Sequence, residues 1–134
     1  MHTHDWVYAF EHRLVQPEAF RHADHVEAAW QFLQRFPLHE VLERYSAGIR
    51  AIAESVGKSD KYHETITWTL LFVIHDRIAR APATQTWEEF ARENDDLFRW
   101  RELLARYYRP STLELPVARS RYLFPDASLT EAAR

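Results

Sequence analysis

Apolar residues recur at helical spacing along most of this chain. From His22 to Phe36, the positions His22, His25, Val26, Ala29, Leu33 and Phe36 fall on one face, while Asp24, Glu27, Gln31 and Gln34 fall elsewhere. From Leu38 to Val56 the stripe is Leu38, Val41, Leu42, Tyr45, Ile49, Ile52 and Val56, the rhythm of a helix lying on a core. Gly57 follows directly and suits the left-handed position just past a helix end. A further helix is predicted from Lys61 to about Arg80, with Ser59 or Asp60 as its cap. It is apolar around much of its circumference between Ile66 and Ile78, which makes it the central helix, with Leu70 and Ile74 buried. Ala81-Pro82 stops it.

Shorter elements flank these three. Asp5 caps a helix that runs to Val15, and Pro17 opens another helical turn. Thr86-Trp87-Glu88-Glu89 forms a capping box and predicts a short helix to Arg92. Another helix is expected from Asp96 to Tyr108, ending before Pro110. Two proline-bounded pieces fill Ser111 to Leu123, Phe124-Pro125-Asp126 reads as a packed strap, and the last residues read as a frayed end. No repeat or long linker divides the 134 residues. The expected fold is all-α, a single domain (1–134) built as an irregular bundle of five to seven helices.

Composition narrows the chemistry. A chain of this length buries about two-thirds of its unfolded surface without staples, so any metal would be functional rather than structural. Five Trp, six Tyr and eight Phe supply core volume, and only two Gly are present. A net charge of −3 gives no basic footprint for nucleic acid or an anionic membrane. With no Cys, a disulfide scaffold, a thiolate zinc site and a Cys nucleophile are excluded. The start MHTHDWVYAF lacks a basic region ahead of a long apolar stretch, and the longest apolar run, Leu70 to Ile74, is too short to cross a bilayer. A cytoplasmic location is expected.

Eight histidines remain as the chemical signal. His22 and His25 stand one helical step apart on an apolar face, where buried imidazoles need partners for their ring nitrogens. Asp60, His63 and Thr67 fall on one face of the expected central helix, with Glu64 beside them. His75 lies a layer away, because twelve helical residues span roughly 18 Å. His2, His4, His12 and His39 read as surface residues. The spacing therefore pairs His63 with His22 and His25. Taken singly, each of these histidines is more often a hydrogen-bonded structural residue than a ligand, and Asp60 alone is more often a cap.

The segments Phe20-Arg21-His22-Ala23-Asp24-His25-Val26 and Tyr62-His63-Glu64-Thr65-Ile66-Thr67, with His75-Asp76-Arg77, Trp87-Glu88-Glu89-Phe90 and Tyr107-Tyr108, carry a resemblance. The chain resembles a family of small, all-helical bacterial proteins with His-x-x-His-Val and Tyr-His-Glu-Thr-Ile-Thr motifs. The resemblance implies a bacterial source and one intact domain, and no reaction. His75-Asp76 also resembles the His-Asp pair of the HD phosphohydrolases, with His39 and Asp95 or Asp96 as companions. The glycine usual after that pair is missing, since Arg77-Ile78-Ala79 continues the helix. There is no Gly-rich phosphate loop, nucleophile elbow or HEXXH motif.

Two functional expectations follow. In the first, the protein is a small metal-dependent enzyme acting on a small molecule. His22, His25 and His63 bind Fe, Zn or Mn, Glu64 acts as a fourth ligand or general base, and Trp30, Tyr62 and Thr67 line the pocket. In the second, it is a non-catalytic ligand-binding or self-associating domain, for instance a homodimer, whose histidines are structural.

Overall fold

The structure, a computed structural model, describes residues 4–127. His2 and the C-terminal residues read as frayed lie outside that range. The fold is all-α, as the periodicity predicts. Among the described residues there are eight α-helices: α1 (Trp6–Glu11), α2 (His22–Arg35), α3 (Leu38–Ser55), α4 (Glu64–Ala79), α5 (Trp87–Glu93), α6 (Trp100–Ala105), α7 (Pro110–Leu113) and α8 (Pro116–Ser120). Short 3-10 turns at Pro17–Ala19, Ser59–Lys61 and Asp95–Phe98 link them. None of these helices is long and apolar enough to cross a membrane.

The three longest helices, α2, α3 and α4, pack on one another, and α1 lies across α2 and α3. Their shared core holds Val26, Ala29, Phe32, Val41, Leu71 and Ile74, all buried. Aromatic rings fill the seam under α1: Phe10 lies 5.3 Å from Phe32 and 5.6 Å from Tyr45, centroid to centroid. Gly48 permits this approach, because a Cβ there would run into the Phe10 ring. Gly57 adopts φ +70° at the end of α3, where Lys58 N–H reaches Ala53 O at 2.8 Å. That is the left-handed termination its position predicts.

Three boundaries differ from the sequence reading. Helix α1 stops at Glu11 rather than Val15: Arg13 takes φ 57° and Leu14 N–H turns back to Ala9 O. The helix expected from Asp96 to Tyr108 is broken at Arg99, leaving a 3-10 turn and α6. Two side-chain contacts hold the break. Leu97 O, which a continuous helix would use internally, accepts from His22 Nε2 at 2.9 Å. Asp96 forms a two-pronged pair with Arg77 at 2.9 Å and also receives Arg106. These cations hold the Asp96 carboxyl down at about 2. Third, α4 begins at Glu64, not Lys61, with His63 as its cap.

The segment after α6 folds back on the start of α4. Helix α8 packs on α4, and a buried threonine ties the two together. Thr65 Oγ1 lies 2.8 Å from Ala118 O and from Arg121 O, and accepts from Leu123 N–H at 3.1 Å. Tyr108 adds a bond from its hydroxyl to Leu123 O at 2.6 Å. The strap is thus held by its backbone, together with Asp126, whose carboxylate receives Arg109 N–H and Thr112 Oγ1. It is not packed by Phe124, which is 84% exposed. Thr65→Val keeps the shape but strands the Leu123 N–H and two carbonyls. It should cost about 1–3 kcal/mol, the penalty for unpaired buried polar groups, as measured by urea unfolding. A cost near zero would show that the strap is not held through Thr65.

Candidate functional site

Where α2, α3 and α4 diverge they leave a cavity of about 340 Å³. Its floor and sides are aliphatic, with Val26, Ala29, Ile49, Ile66, Leu70, Leu71 and Ile74 on the wall. Its polar groups are few: His22, His25, Tyr45, Lys61, Tyr62, His63 and Thr67, with the Trp100 indole beside His22. The structure therefore brings His22, His25 and His63 to one cavity, together with Tyr62 and Thr67. Their spacing on α2 and at the head of α4 points to this convergence.

The three imidazoles are engaged differently. His63 uses both ring nitrogens: Nε2 donates to Leu113 O at 2.7 Å, and Nδ1 accepts the Ile66 N–H at 3.2 Å. Only the neutral Nε2–H tautomer fits that pair of bonds. The Nδ1 bond gives α4 its N-cap, a role usually taken by a short polar side chain. His22 donates Nε2–H to Leu97 O and keeps its Nδ1 lone pair. His25 makes no hydrogen bond among the described residues. It stacks on Phe20, with centroids 4.2 Å apart and planes at 24°.

Burial sets the charge of these groups. Removal from water lowers the basicity of His22, opposed by its bond to Leu97 O. The same effect lowers that of His63, against its bond to Leu113 O and with a further push from Arg119. His25 is affected most: burial first, then the neighbouring His22, against Asp24, bring it down to about 4. At neutral pH the cavity is thus walled by uncharged imidazoles. The Tyr62 phenol is pushed up by burial and by Glu64.

Other expected site residues point elsewhere. Glu64 accepts from Tyr62 Oη at 2.5 Å and lies 3.5 Å from Arg50, so its carboxylate is held by these partners and does not line the cavity. Trp30 lies behind the wall, packed on Trp87 at 5.7 Å and Phe90 at 6.3 Å. Asp60 sits in the 3-10 turn before Tyr62, outside α4, so it does not share a helical face with His63 and Thr67. Among the described residues, no three or more His, Cys, Asp or Glu side chains are gathered closely enough to hold a metal ion. His75 lies outside the cavity as its spacing requires, but makes no hydrogen bond among the described residues. Asp76 pairs with Arg80, Asp95 with Arg99, and Asp96 with Arg77 and Arg106, and His39 is exposed, so among the described residues these side chains do not gather as a His-Asp set.

The sequence reading missed Tyr45, Lys61 and Trp100 as cavity residues. Tyr45 belonged to the apolar stripe of α3 and gave no separate polar signal. Trp100 opens α6 just after the break at Arg99, which the periodicity does not predict. Comparison with protein-family profiles, curated proteins and solved structures finds no match to this chain.

Proposed function

We propose that the protein binds a small organic molecule in this cavity, held by apolar contact and by hydrogen bonds to His25 and His22. The observation that carries the reading is His25: an unprotonated imidazole on the cavity wall with no hydrogen-bond partner among the described residues. A half-buried neutral imidazole offers one N–H donor and one acceptor nitrogen, and a guest with a polar head group can engage either. The volume suits a compact guest, near the lower end of the roughly 300–1,000 Å³ common for ligand sites.

The metal-dependent enzyme remains the second reading, supported by two imidazoles one helical step apart. It requires His63 to release Ile66 or Leu113 and Glu64 to leave Tyr62 and Arg50. The ligand-binding reading requires neither, and we favour it. The test is a compound screen by thermal shift, followed by nitrogen NMR of the histidine rings. Binders should move the His25 ring signals. Thr67→Phe, which fills the cavity from α4, should weaken them about tenfold or more, a loss of roughly 1.4 kcal/mol. Binders that leave the His25 ring unchanged would overturn the reading. Stoichiometric Zn, Fe or Mn in untagged protein, lost on His22→Ala, would favour the metal instead.

A further inference from the structure

The cavity does not end at His25. A second hollow of about 240 Å³ adjoins it, lined by Pro17, Phe20, Ile52, Val56 and Lys58 among others. Four residues, His25, Ile49, Lys61 and Tyr62, line both. They form a partition, with Lys61 and His25 as its nitrogen-bearing groups and Tyr62 committed to Glu64.

The cations of this chain are unevenly chosen. Of the seventeen Lys and Arg residues only two are lysine, Lys58 and Lys61, and both stand at these hollows. Arginines elsewhere, such as Arg44, Arg77, Arg80 and Arg106, are paired with carboxylates. Neither lysine side chain makes a hydrogen bond or ion pair among the described residues. Lys61 at the partition and Lys58 in the outer hollow, neither in an ion pair among the described residues, create a local positive potential that an anion would neutralise.

We infer that the ligand is an organic acid, with its apolar body among Val26, Leu70, Leu71 and Ile74 and its carboxylate at the partition between Lys61 and His25. The inference rests on the ligand-binding reading above and names its chemical class. Lys58 reinforces the field from the outer hollow. An ammonium offers three donors on a flexible stem, which suits a guest whose head group lies at the rim.

The test compares decanoate with decan-1-ol, an anion and a neutral probe with the same ten-carbon chain, by calorimetry on the full chain. Decanoate should bind at least about tenfold more tightly than the alcohol. Lys61→Gln should remove most of the preference for the acid while leaving the alcohol unchanged. Lys61 is exposed, so the variant should melt like the parent. Equal binding of both probes, or no effect of Lys61→Gln on decanoate, would overturn the acid while leaving the ligand cavity standing. Binding of neither probe would also overturn the acid, and the compound screen would then decide the cavity by itself.

Discussion

Leu71→Ala is expected to destabilise the protein by about 2–5 kcal/mol, the range for truncating a buried aliphatic side chain. Leu71 has no exposed surface, lies in the central cluster and forms part of the cavity wall. Its loss removes transfer energy and merges new void with existing void, so neighbouring side chains have little to collapse onto. Leu70 lies one residue earlier and is only partly buried against the core. Leu70→Ala should therefore cost clearly less. Urea unfolding of both variants checks the order. A cost below half a kcal/mol at Leu71, or a larger one at Leu70, would mean that α4 is rotated from the position described.

Stability should also fall on mild acidification. The folded state holds the His25 pKa at about 4, against roughly 6.5 for a free imidazole. The folded value is the lower one, so the unfolded chain binds the proton more readily. The stabilisation is complete above pH 6.5 and is lost as pH falls towards 4. For this group alone the loss between pH 7 and pH 5 is about 2 kcal/mol. His22 and His63 are shifted in the same direction and add to it. Asp96 acts only at lower pH, since its carboxyl is held at about 2. Melting temperatures across this window should fall for the parent and fall less for His25→Leu. A flat profile above pH 5 in the parent would refute the buried neutral imidazole.

The long helices were legible because their burial is one-sided and their period regular. The stripes on α2 and α3 survive into the structure within a residue or two. His22 and His25 stand on the apolar stripe of α2, and both line the cavity together with His63. What the sequence could not carry was the partner of each side chain. His63 reads like a residue within the first turn of a helix, and only the chain around Leu113 makes it a cap. The break at Arg99 depends on Leu97 O being taken by a side chain 75 residues away. Glu64 and Trp30 have partners on other elements, Arg50 for one and Trp87 for the other, and neither lines the cavity.

The bonds of Thr65 reach across 53, 56 and 58 residues of chain. Contacts this far apart in sequence cannot form by local helix propagation, because the intervening loop must first be closed. His63 caps α4 and also bonds Leu113 O, so the same docking step fixes the cavity wall at His63. The cavity is therefore completed together with the 113–123 segment, not when α2, α3 and α4 first pack.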